Sequence, residues 1–192
     1  MADSLAPEVV EPLLRGRFGH PYRYAELCAS TQRLLEAEDV EGAVAVAEEQ
    51  SEGRGRLGRR WHAPPRTSVL VSVLLRPRID PAGLPELSPV AGRAVGEAIE
   101  EITGLETSIK FPNDVLVRGR KVAGVLAEAG DGRVVLGIGV NANQTESELP
   151  AETQTPATSL RLETGSVVDR VRLLTAILAS LERAYDGWLT DT

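Results

Sequence analysis

Apolar positions fall in short runs along most of this chain and step by three and four in two stretches only. Tyr22 to Ala25 and Ser68 to Leu75 read as strands, and Ala43 to Glu49 as a buried one. Ser30 and Thr31 offer cap hydroxyls to a short helical run over 32–37. A longer helix is predicted from Ser88, with Pro89 in its first turn and Gly104 as its stop. Its apolar face is Val90, Ala94, Val95, Ala98, Ile99 and Ile102. Thr107 to Phe111, Asp114 to Val117 and Val122 to Ala129 are short strands, and Gly130-Asp131-Gly132-Arg133 turns the chain into Val134 to Val140. A last helix is predicted from Ser166, with Asp169 completing a capping-box pattern. Its stripe of Val167, Val171, Leu174, Leu178, Leu181, Tyr185 and Trp188 reads as a core-facing seam. Arg170, on the same helix, is expected to tolerate lysine almost silently. Residues 51–66 and 144–165 read as loops, and residues 1–20 as a short lead-in.

These elements predict an α+β domain: a mixed β-sheet with helices packed on one face. The chain divides into a lead-in of residues 1–20 and a domain of residues 21–192.

Composition narrows the function classes. A length of 192 residues and a 42% hydrophobic content suit one soluble domain. No run approaches the ~18 apolar residues of a membrane span, and the acidic start lacks the basic lead of a secretory signal. A cytoplasmic address is expected. The lone Cys28 excludes an internal disulfide, and His20 and His62 are too few for a His-rich metal site, so no resident metal is expected. A net charge of −7 argues against a general nucleic-acid coat.

Individual basic residues say more. There are 19 arginines, two lysines (Lys110 and Lys121) and three asparagines (Asn113, Asn141 and Asn143). All five of the rare residues fall between 110 and 143. In a chain that otherwise uses arginine, a lysine suggests a need for a compact, rotatable ammonium.

Four segments carry candidate chemistry. GRGRLGRRW (53–61) sets arginines among glycines that permit close backbone approach. From Gly53 to Ile79 there are seven arginines and no acid, which marks an anion site; a solvated basic loop and an RNA-binding segment are the alternatives. KFPND (110–114) sets a cation, an aromatic ring and an amide close together, or is an ordinary turn. In GRKVAGVLAE (119–128), alternation puts Lys121 and Ala123 on one face and Val122 and Gly124 on the other. GIGVNAN (137–143) ends a strand with two glycines and two amides. The glycine-rich loop 51–66, without apolar anchors, is expected to be mobile until a ligand orders it.

In order and spacing these segments resemble the biotin–protein ligase family, whose catalytic domain shows GRGRxGRxW, KWPND, KxxGxLxE and GIGxNxN after an STN-type segment. Here they stand as GRGRLGRRW, KFPND, KVAGVLAE and GIGVNAN after Ser30-Thr31-Gln32, and the resemblance spans roughly residues 20–189. It implies a catalytic domain related to class II aminoacyl-tRNA synthetases. It also implies two half-reactions: biotin and MgATP give biotinyl-5′-adenylate and pyrophosphate, then a carrier lysine takes the biotinyl group and releases AMP.

By resemblance, biotin contacts fall to Ser30, Thr31, Gln32, Gln50, Arg54, Gly55, Arg56, Lys121 and Gly124. Nucleotide contacts fall to Arg54, Arg59, Trp61, Lys110, Asn113, Asp114, Lys121, Gly137 and Asn141. Lys121, Arg56 and Lys110 are the implied catalytic cations, and magnesium accompanies ATP. The implied partner is a biotin carboxyl carrier domain, with no specific DNA and no membrane; a homodimer is compatible. Gln32 stands where the family has Asn, and Phe111 where it has Trp. The small β-barrel domain that usually follows the catalytic domain is expected to be absent, as is a helix-turn-helix domain before it. The rival readings are a lipoate–protein ligase or octanoyltransferase, a binding-only relative, and an arginine-loop nucleic-acid binder.

Overall fold

In the computed structural model, residues 3–151 and 154–191 are described. Seven strands form one sheet: β1 (Tyr22–Cys28), β2 (Val44–Gln50), β3 (Ser68–Leu75), β4 (Ser108–Lys110), β5 (Asp114–Val117), β6 (Arg120–Gly130) and β7 (Arg133–Asn141). Their order is β1-β2-β3-β7-β6-β5-β4. β1 and β2 are parallel and every other pair is antiparallel, so the sheet is mixed. β6 and β7 are joined by the two-residue turn Asp131-Gly132, both at positive φ, which Asp-Gly tolerates.

Among the described residues, four α-helices accompany the sheet: α1 (Pro7–Val10), α2 (Leu87–Thr103), α3 (Leu160–Thr164) and α4 (Arg170–Asp191). α2 and α4 pack on each other and cover one sheet face, α2 over β4, β5 and β6 and α4 over β3. Val71, Leu136 and Val140 of the sheet meet Val95, Ile99, Leu174 and Ile177 of the helices in one core. Leu5, Val10 and Phe18 join that core, so the lead-in is packed into the domain. Gly104 ends α2 in the left-handed region, its N–H bonded to the Glu100 carbonyl.

Several boundaries differ from the sequence expectation. α2 begins at Leu87, because a 3₁₀ turn capped by Asp80 (Pro81–Glu86) feeds straight into it; Ser88 is therefore inside the helix. The 32–37 run is a 3₁₀ turn, Thr31–Leu34, that ends in extended Leu35. The 144–165 loop contains a 3₁₀ turn closed by a Thr145/Glu148 capping box, and α3. α4 starts at Arg170, and Val167 is exposed. The cause is Asn143, whose amide donates to the Val168 carbonyl at 2.9 Å and accepts from its N–H at 2.8 Å, holding that segment out of the helix. Asp169 then caps α4, accepting from Arg172 N–H at 3.0 Å.

Arg170 overturns its expectation outright. Its side chain is fully buried, donating to Glu48 Oε2 at 2.7 Å, to the Ser68 carbonyl at 3.0 Å and to Asp3 Oδ2 at 2.9 Å. The buried face of α4 includes Leu173 and Ile177 and is wider than the heptad stripe. Among the described residues, no helix is long and apolar enough to cross a membrane.

Candidate functional site

The site lies on the sheet face opposite α2 and α4. In β7, Leu136, Ile138 and Val140 belong to the helix-covered core, so Gly137, Gly139 and Asn141 face the other way. In β6 the alternation is broken. Val115 pairs with Ala123 but Leu116 pairs with Lys121, leaving Val122 as an extra residue. This bulge turns both Val122 and Ala123 into the core and brings Lys121 onto the same face as Gly124. Plain alternation separates those two residues, and the bulge overturns that reading.

A cavity of about 160 Å³ opens over this face. It is lined by Ser30, Thr31, Gln32, Gln50, Arg54, Gly55, Arg56, Arg59, Trp61, Asn113, Asp114, Lys121, Gly124, Gly137 and Asn141. These are all the biotin, nucleotide and catalytic residues that the resemblance implies, except Lys110. The Lys110 ammonium instead donates to Thr155 Oγ1 at 2.6 Å, on a segment that does line the cavity.

One end of the cavity is a tight polar cluster. Gln50 Oε1 accepts from Thr31 N–H at 2.7 Å and from its hydroxyl at 3.1 Å, and that hydroxyl lies 2.8 Å from Ser72 Oγ. Gln32 folds its side chain over Gly137, where a Cβ would come within 3.2 Å of the amide carbon.

The middle is floored by glycine. Gly124 and Gly139 are paired across β6 and β7, and the Trp61 indole lies over both. Trp61 N–H bonds the Gly53 carbonyl at 2.9 Å, which anchors the loop 51–66 at one end. The expectation of a loop without apolar anchors is therefore corrected. The indole Nε1–H is buried and donates to no acceptor among the described residues. A buried donor left so costs ~1–3 kcal/mol, and a ligand acceptor relieves it.

Lys121 stands beside the indole, its Nζ 5.6 Å from the ring centroid and 2.6 Å from Asp114 Oδ1. Arg56 reaches over the opening to Asn113 Oδ1 at 3.3 Å, while Asn113 Nδ2 donates to the Val125 carbonyl at 3.0 Å. Arg54 pairs with Glu128 at 2.9 Å. The seven arginines from 53 to 79 are not one anion site. Arg66 is paired with Glu26, Arg76 is spent on the carbonyls of Ala37 and Asp39, and Arg78 lies off the cavity, which leaves Arg54, Arg56, Arg59 and Arg60 lining it. Cys28 ends β1 beside Gln50, and burial pushes its thiol pKa up, away from thiolate chemistry.

Asn141 Nδ2 donates to the Thr158 carbonyl, and its Oδ1 accepts from Gln144. Asn143 is spent on Val168, so this rare residue is architectural. Arg60 and Gly139, read in the sequence as part of GRGRLGRRW and GIGVNAN, also line the cavity, whereas sequence reasoning missed His62 and the segment around Pro150, Gln154, Thr155 and Ala157. The 150–157 segment carries no local signal.

Comparison with known proteins identifies a family for the chain. The profile of the biotin/lipoate A/B protein ligase family matches residues 24–144. The chain is 38% identical over 176 residues to the bifunctional ligase/repressor BirA of Bacillus subtilis, covering 87% of this chain and 54% of that protein. It is 37% identical over 202 residues to the biotin--[acetyl-CoA-carboxylase] ligase of Mycobacterium tuberculosis, covering 97% of this chain and 74% of that one. The biotin protein ligase of Aquifex aeolicus, solved in complex with biotin and ATP, superposes with a TM-score of 0.79 at 36% identity, over 88% of this chain and 72% of that one. The chain thus spans about half the length of the Bacillus relative.

Proposed function

The chain belongs to the biotin/lipoate A/B protein ligase family, and from that premise we propose that it activates biotin as biotinyl-5′-adenylate and transfers it to a carrier lysine. One observation carries the reading: a single ammonium, Lys121, stands in a glycine-floored cavity between an arginine loop and a compact polar cluster. The named relatives and the ligands in the Aquifex aeolicus complex support biotin and ATP as substrates.

Biotin enters with its ring end toward Ser30, Thr31 and Gln50. The Thr31–Gln50–Ser72 hydrogen bonds hold that cluster in place before binding, so little ordering is needed. Gly124 and Gly139 let the Trp61 indole, and Gly137 the Gln32 side chain, lie close to the sheet, and the acid packs against those groups. MgATP enters on the side of Asn113, Asp114 and Asn141, with Arg54 and Arg59 near its phosphates.

In the first half-reaction a carboxylate oxygen of biotin attacks the α-phosphorus. The new O–P bond forms as the bond to pyrophosphate breaks, and pyrophosphate leaves with its electrons. Two anions must meet, and Lys121 with Arg56 offsets their repulsion. Lys121 exchanges its hold on Asp114 for the carboxylate and the α-phosphate. In the second, a neutral carrier amine attacks the acyl carbon, the acyl C–O bond breaks as AMP leaves with its electrons, and the nitrogen's proton passes to water. Lys110 acts on the nucleotide side through Thr155.

Isothermal titration separates this reading from its sibling. Biotin should bind the purified chain at least a hundredfold more tightly than lipoate. Equal or tighter lipoate binding would move the protein to the lipoate branch of the family.

A further inference from the structure

Glu163 is a buried carboxylate outside the cavity, and its partners tie three separate segments together. Its side chain is 0% exposed. Oε1 accepts from Thr158 Oγ1 at 2.6 Å and pairs with Arg120 at 2.5 Å, and Oε2 pairs with Arg118 at 3.1 Å. The two arginines flank the turn from β5 to β6, where Arg118 and Gly119 both take positive φ. Glu163 itself sits on α3, which Ser159 caps at its start and Gly165 at its end. One carboxylate therefore joins α3, the strand turn and the chain at Thr158.

Thr158 is the link to the site. Its N–H donates to the Lys121 carbonyl at 2.9 Å, and Lys121 N–H donates to the Pro156 carbonyl at 2.8 Å. The Thr158 carbonyl accepts from Asn141 Nδ2 at 3.0 Å. Lys121 depends on these bonds because of the bulge. The pairing of β6 with β7 starts only at Ala123, so residues 156–158 take the place of a neighbouring strand at Lys121. Among the described residues, these two bonds are the backbone pairing of Lys121 on that side.

We propose that Glu163 is a positioning residue for the adenylate-forming step: through Thr158 it sets the backbone of Lys121 and the amide of Asn141. It touches neither substrate, and the inference rests on the biotin-activating reading above. Loss of the carboxylate leaves both arginines able to turn to water, since their side chains are 67% and 46% exposed. The fold then survives while Lys121 shifts.

The chain has two lysines only, so a sample labelled at lysine gives two side-chain signals. The Lys121 signal lies within reach of the Trp61 ring current. In Glu163→Gln we expect that signal to move, and the turnover of biotin-dependent pyrophosphate exchange to fall about ten- to hundredfold with the KM for biotin within twofold. Thr158→Val should do the same, and Thr158→Ser, which keeps the hydroxyl, should restore both readouts. The Thr158 pair decides the matter if Glu163→Gln does not fold. A Lys121 signal unmoved in folded Glu163→Gln or Thr158→Val overturns the proposal, as does a moved signal with unchanged turnover. A wild-type chain without exchange overturns the biotin-activating reading instead, and the lysine signal still decides whether Glu163 holds Lys121.

Discussion

Gly124 and Gly139 face each other across β6 and β7, and together they form the seat of the Trp61 indole. A Cβ on Gly139 would fall 2.5 Å from the indole Cε2, and one on Gly124 would fall 3.1 Å from Cζ3. The ring has little freedom to yield, because its own backbone is bonded to Gly53 and a Cβ on Gly53 would meet the Trp61 carbonyl at 2.3 Å.

Gly139→Ala should therefore displace the indole and damage the site. Overpacking typically costs ~1–3 kcal/mol, which corresponds to a loss of roughly ten- to hundredfold in biotin affinity. Gly137→Ala should be milder, since its Cβ meets the flexible side chain of Gln32 at 3.2 Å. Titration with biotin checks both. If Gly139→Ala binds biotin within twofold of wild type, the position of the indole does not shape the biotin site.

Lys121→Arg should lower adenylate formation by about a hundredfold or more, the usual scale for losing one electrostatic contact of ~3 kcal/mol in a transition state. An ammonium can turn its three donors from Asp114 to two incoming anions, whereas a guanidinium is wider and fixed in a plane. The control is Arg172→Lys on the exposed side of α4. Retention of more than about a third of wild-type exchange by Lys121→Arg, with the control silent, would return Lys121 to the status of a strand-edge cation.

Much of this was legible in the sequence, and the exceptions share a cause. Helix α2, its Gly104 stop, strand β3 and the Asp131-Gly132 turn follow from local pattern and turn chemistry. The motif residues converge on one cavity because the sheet brings their strands together. What failed depends on bonds between distant residues. The start of α4 is set by Asn143, 25 positions before its partner Val168. The face of Lys121 is set by a bulge that no residue type announces. Thr31 lies inside a short 3₁₀ turn and does not cap a longer helix, because its N–H and hydroxyl are used by Gln50 and Ser72.

Arg170 supplies the third prediction. Breaking a buried pair by removing one partner costs ~3–5 kcal/mol, because the other charge stays buried. Arg170→Met should lower Tm by roughly 6–20 °C at ~2–4 °C per kcal/mol for a chain of this size. Arg170→Lys should also lose stability, since a single ammonium cannot reach Glu48, the Ser68 carbonyl and Asp3 together. A Tm within about 1 °C of wild type for Arg170→Met would contradict the buried network.

Asp39 gives a pH dependence. The Arg23 guanidinium grips both its oxygens, at 2.6 and 3.0 Å, and holds its pKa below the usual carboxylate value. The unfolded chain therefore protonates this group first as pH falls. The stabilisation is complete above about pH 4 and is lost as pH drops through the lowered native value. Thermal melts between about pH 5 and pH 3 should show the gap between wild type and Asp39→Asn closing. A gap that stays constant over that range would mean the pair adds nothing.

The central claim is that this cavity joins biotin to an adenylyl group. Biotin-dependent exchange of labelled pyrophosphate into ATP reads that step alone, with no carrier protein present. The purified chain should incorporate label only when biotin is added, and lipoate should not substitute. No incorporation with biotin, or equal incorporation with lipoate, would contradict the account.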